Sequence, residues 1–131
     1  MRIACAAAVY ALAVFAVGFV LGVIRTLWVV PQVGALVAVA IELPVILLAS
    51  WVVARRVVRF FAIATFGSAL AVGILALSLL LLFECGLVLV TGGTAADWLE
   101  SLSTPSGLLG LGGQGVFAIM PFLAVTTIRR A

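Results

Sequence analysis

Phe60–Leu82 reads FFAIATFGSALAVGILALSLLLL, an apolar run without one charged side chain. At ~1.5 Å per helical residue a run of this length crosses the ~30 Å hydrocarbon layer of a bilayer. Working outward, the run continues towards Val90, and Ile3–Ile24, Val33–Val53 and Leu108–Ile128 are comparable stretches. The fold class that follows is all-α, an integral membrane four-helix bundle. The spacing predicts spans at about 3–30, 32–54, 60–90 and 107–128, joined on one side by a loop over 91–106.

Composition gives the same answer. The chain of 131 residues is 67% hydrophobic and 8% charged, with a mean hydropathy of +1.50, whereas soluble domains carry about a quarter charged residues. So few polar groups cannot cover a surface that faces water, and the lipid bilayer is the expected surrounding.

All seven basic residues are Arg, and they stand at the ends of the apolar runs. With four spans, Arg2, Arg55, Arg56, Arg59, Arg129 and Arg130 fall on one side and the loop carrying Asp97 and Glu100 on the other. The positive-inside rule then predicts a bacterial inner-membrane protein with both termini cytoplasmic. The basic balance reports orientation, and no nucleic-acid partner is expected. Trp28, Trp51 and Trp98 each sit near a predicted boundary, where an amphipathic ring suits the headgroup level.

Turn chemistry marks the connections. Val30-Pro31-Gln32 is read as the first, because proline cannot continue a helix but suits the first turn of the next. Thr91-Gly92-Gly93-Thr94 and Thr104-Pro105-Ser106-Gly107 bracket the third. Between them Ala95–Leu102 is expected to form a short surface helix with Asp97 and Glu100 in water. The apolar stretch after Arg2 is longer than the ~7–15 residues of a signal-peptide core, so it is read as a retained span.

Histidine is absent, and Cys5 and Cys85 form no Cys-x-x-Cys pair. Ordinary zinc, haem and thioredoxin-like chemistry lose their usual ligands, so no metal or cofactor is expected. The glycine-rich stretch Gly107–Gly115 lacks the Lys and Ser/Thr of a phosphate loop and is read as a helix-packing surface. No nucleophile–base pair is visible, so an enzyme is not expected.

The polar residues inside the spans are the candidates for function. Arg25, Glu42 and Glu84 each cost a few kcal/mol near mid-membrane and need a partner or a wet cavity. Gly18 and Gly22 share a stripe with Arg25, Gly34 with Glu42, and Gly73 with Glu84. Such small-residue faces in a membrane pack against protein, so Gly18, Gly22, Gly34 and Gly73 are expected at helix contacts. Counting from the turns, Arg25 lies about 9 Å and Glu42 about 16 Å from Pro31, Glu84 about 12 Å from Gly92, and Gln114 about 10 Å from Gly107. One polar side chain per helix thus falls in the same half of the membrane.

With one Arg and two Glu the cluster is net negative if both acids are ionised, which burial opposes, so one Glu is expected to hold a proton. Two readings stay open: a proton- or ion-coupled transport site, or an architectural device that fixes helix register. Pro44 frees a carbonyl in the turn before it and is expected to kink the second helix near Glu42.

Gly18-Phe19-Val20-Leu21-Gly22-Val23-Ile24-Arg25, then Pro31, Glu42-Leu43-Pro44 and Ser50-Trp51 with Arg55, resembles a group of small, uncharacterised four-helix bacterial inner-membrane proteins. The resemblance covers chiefly the first half of the chain and implies the same topology without an activity. The expected function is transport or permeation through the Arg/Glu cluster by a homo-oligomer. The alternative is an accessory or assembly subunit of a larger membrane complex.

Overall fold

The computed structural model describes residues 1–131, an all-helical chain without strands. Helix α1 covers Arg2–Val33, α2 Ala35–Phe60, α3 Phe66–Val90 and α5 Pro105–Arg130, each long and apolar enough to cross a membrane. The short α4 covers Ala95–Leu102. Leu12, Val20, Leu48 and Leu82 on the outside of the bundle are each more than half exposed. In water so much exposed apolar surface would drive aggregation; in a bilayer it meets its own solvent, and the chain is a membrane protein.

The first connection lies further on than the proline suggests. The helix widens into a π turn over Arg25–Val29, passes through Pro31 and ends at Gly34, whose φ of +83° only glycine adopts at no cost. A π turn has room for a proline ring that would clash with the preceding carbonyl in a regular helix. The amide of Gln32 donates to the Trp28 carbonyl at 3.0 Å, supplying one bond within this irregular turn.

The second connection also differs: α2 continues to Phe60 and α3 begins at Phe66, not at residue 60. Ala62 (φ +51°) takes the left-handed position usually held by glycine. Its N–H donates to the Arg59 carbonyl and that of Ile63 to Val58, closing a Schellman turn. Gly92 (φ +94°) makes the equivalent turn after α3, with Gly92 and Gly93 donating to Leu89 and Val88. Thr94 and Asp97 form a reciprocal capping box at the start of α4. Bonds from the Thr94 hydroxyl and backbone N–H hold the Asp97 carboxyl below its ordinary range.

The four long helices make a ring in the order α1, α2, α5, α3, with α1 facing α5 and α2 facing α3 across its diagonals. Met1 and Arg2 lie beside the Phe61–Thr65 turn, and the Arg129 guanidinium sits over the Phe66 ring at 5.0 Å. Both termini and six of the seven arginines therefore gather at one end, called here the arginine end. In this half the helices close tightly on small side chains, among them fully buried Ala6, Ala7, Ala11, Ala54, Ala69, Ala76 and Ala124. The other half is different, because the side chains thin out and a cavity opens.

Candidate functional site: a membrane-embedded cavity

A cavity of about 700 Å³ occupies the half of the bundle away from the arginine end, lined by all four long helices and by α4. Its wall is mostly apolar, and Arg25, Glu42 and Glu84 are the charged side chains on it. Glycines explain the space. Gly18, Gly22 and Gly110 line the cavity; a Cβ at Gly110 would meet nothing within 4 Å, and one at Gly22 would meet only the Arg25 guanidinium at 3.7 Å.

The glycines predicted at helix contacts thus divide. Gly73 is a true close approach, since a Cβ there would overlap the backbone carbonyl of Ala118 on α5. Gly18 is in ordinary contact distance of Ile46 on α2, at 3.6 Å. Gly22 does not serve as a helix contact, because its face looks into the cavity. Gly34 is likewise corrected: a Cβ there would meet nothing within 4 Å, and its part is the backbone break between α1 and α2. In the glycine-rich start of α5, Gly107 presses on the Ser101 carbonyl and Gly113 on Leu43, whereas Gly112 and Gly115 stand open.

The four polar residues line the same cavity and make two direct contacts there. Arg25, which opens the π turn, donates to Glu42 Oε2 at 2.8 Å and bridges α1 to α2. Gln114 donates to Glu84 Oε1 at 2.6 Å and bridges α5 to α3. Glu42 and Arg25 remain partly open to the cavity, with side chains 14% and 32% exposed. Gln114 Oε1 is buried without a partner. The arginine thus neutralises one carboxyl, while the other is held by a neutral amide.

Pro44 stands apart from this arrangement. It faces outward, does not line the cavity, and α2 runs through it unbroken to Phe60. The carbonyl it deprives of a donor, that of Ala40, belongs to an exposed residue, so Pro44 is no part of the polar site.

Two features escaped the sequence reading. Towards the arginine end the cavity wall includes Phe117, and behind it Tyr10, fully buried, stacks its ring on Phe117 with centroids 4.3 Å apart. The Tyr10 hydroxyl donates to the Phe117 carbonyl at 2.8 Å. That carbonyl would ordinarily accept from residue 121, which is proline and has no N–H. A lone tyrosine in an apolar span, with a proline in another, was the available signal.

At the other end, α4 lies over the cavity through Trp98, Ser101 and Leu102. The capping box and the fit of Gly107 beneath Ser101 hold it there. Nowhere in the chain do three His, Cys, Asp or Glu side chains converge, and Cys5 and Cys85 are free thiols.

The Tyr10 bond makes a measurable claim. Tyr10→Phe should cost about 1–2 kcal/mol by leaving the Phe117 carbonyl unpaired in the bundle interior. Pro121→Ala, which restores a backbone donor to the same carbonyl, should recover most of that loss in the double variant. Equilibrium unfolding in mixed micelles would measure the coupling, and additive costs would disprove it.

The chain matches no family model, no curated protein and no solved structure.

Proposed function

We propose that this chain is a small inner-membrane transport or permeation protein of bacteria that takes an ion or small solute into the cavity beside Arg25, Glu42, Glu84 and Gln114. The observation that carries the reading is a cavity of about 700 Å³ inside an apolar bundle, with Arg25, Glu42, Glu84 and Gln114 on its mostly apolar wall. Ionisable groups at such a depth are costly unless they serve a solute path or lock helices together. A purely architectural pair needs no adjoining volume, so the cavity favours the first use.

Glu84 is the residue suited to exchange. It is held by a neutral amide and not by a cation, so a proton or a cationic solute can occupy its remaining lone pairs. Arg25 and Glu42, paired at 2.8 Å, set the local field and hold α1 to α2. On the positive-inside rule the arginine end faces the cytoplasm, which places both termini there and turns the cavity and α4 outward. A homo-oligomer is the expected assembly, but the cavity within a single subunit means that a path between subunits is not required.

The test is flux in reconstituted vesicles driven by a proton or cation gradient. Glu84→Gln and Glu42→Gln should each abolish coupled flux; thermal unfolding should stay close to that of the parent for Glu84→Gln, whose partner is a neutral amide, and fall for Glu42→Gln, which leaves Arg25 unpaired. Unchanged flux in both variants rejects a carboxylate mechanism. The second reading, an accessory subunit of a larger membrane complex, is favoured by the open glycines Gly86, Gly112 and Gly115, which a neighbouring helix could approach. Mild extraction followed by native mass measurement separates the two: a stoichiometric foreign subunit supports the accessory role.

A further inference from the structure

We infer that the cavity is a binding site for a lipophilic organic cation, reached sideways from the bilayer through a gap between α1 and α3. Four aromatic side chains stand on the wall of the cavity, Phe15 and Phe19 from α1, Phe117 from α5 and Trp98 from α4. Aromatic faces carry negative charge density and attract ammonium and phosphonium groups, most strongly where water is scarce. The charge balance has the same sign. One Arg and two Glu leave one carboxyl in excess, and that carboxyl, Glu84, has no cationic partner within salt-bridge distance.

The gap follows from which lining residues are also exposed. Phe15 and Phe83 meet at 5.4 Å and close the α1–α3 seam on the arginine side. Beyond that pair, Phe19 and Val23 on α1 and Leu87 on α3 line the cavity and are still 46%, 43% and 38% exposed. Phe19 lies about 21 Å along the helix from Val33, at hydrocarbon depth. An opening there faces acyl chains and not water, so it admits molecules already dissolved in the membrane. A strongly hydrated ion would not arrive by this route; a cation wrapped in apolar groups would.

The inference depends on the cavity being a solute site, as proposed above, but does not require flux. Full-length protein carrying Trp28→Phe and Trp51→Phe, in lipid nanodiscs, leaves Trp98 on the cavity wall as the reporter. Tetraphenylphosphonium should change its fluorescence saturably, and tetraphenylborate, of like shape and opposite charge, should not. Glu84→Gln should weaken the phosphonium about tenfold or more. Gly110→Leu, which fills open space without touching a charge, should weaken it comparably while far-UV circular dichroism and unfolding stay near the parent. Equal response to the borate, or affinity unchanged in both variants, overturns the inference. Saturable phosphonium binding without coupled flux upholds it and fails the transport reading; gradient-driven proton flux without phosphonium binding does the reverse.

Discussion

Arg25→Leu is expected to destabilise the bundle by about 3 kcal/mol, and Arg25→Leu with Glu42→Leu by far less. Removing one member of a buried ion pair leaves the other charge uncompensated in low dielectric, which costs about 3–5 kcal/mol in protein interiors. The lower end applies because the Arg25 side chain is still 32% exposed, so solvent in the cavity moderates the field. Replacing both partners removes the charge together with its counter-charge and leaves two leucines in an apolar wall. Unfolding in mixed micelles across this cycle would give the coupling energy. A double variant as unstable as the single one would show that Arg25 acts through some other contact.

Gly73→Ala is the second large effect, expected at about 3 kcal/mol, which is the upper end for an overpacked interior. The added methyl would occupy the position of the Ala118 backbone carbonyl, and a backbone atom cannot rotate aside as a side chain can. Helices α3 and α5 must separate, loosening the seam that also carries Glu84 and Gln114. Gly86→Ala, on the same helix but with nothing within 4 Å, isolates the steric cause. It should stabilise slightly, by about 0.5–1 kcal/mol, because alanine favours a helix over glycine. Similar losses at both positions would mean that helix α3 simply tolerates no substitution.

The spans, the gathering of arginines at one end and the short helix Ala95–Leu102 were legible because each depends on local composition. Hydrocarbon thickness sets the run length, and Thr94 and Asp97 announce a helix start on their own. The first break was misplaced at Val30-Pro31-Gln32 because the π turn at Arg25–Val29 lets the helix carry a proline, a compensation invisible to residue preferences. The turn at Ala62 carries no glycine or proline and so gave no signal; only the placement of the neighbouring helices imposes its left-handed backbone.

The site was legible in part for the same reason. Helical periodicity and rise put Arg25, Glu42, Glu84 and Gln114 in the same half of the membrane, and they do line one cavity. Helix α1 adjoins both α2 and α3, so which acid meets the arginine depends on how its faces are turned towards those two neighbours, and that is long-range information. The glycines show the limit most clearly. Gly73 and Gly22 look alike in the sequence, yet one admits a neighbouring backbone and the other leaves room beside a guanidinium.

The hydroxyl that Tyr10 lends to Phe117 crosses the bundle from one diagonal corner to the other. A carbonyl stripped of its helical donor by Pro121 is costly to leave alone in hydrocarbon, so parting the two rings also forfeits that bond. Whatever displaces the phenol must bring its own N–H or O–H to that oxygen. The contact between α1 and α5 across the diagonal is thereby held by a backbone group as well as by two rings.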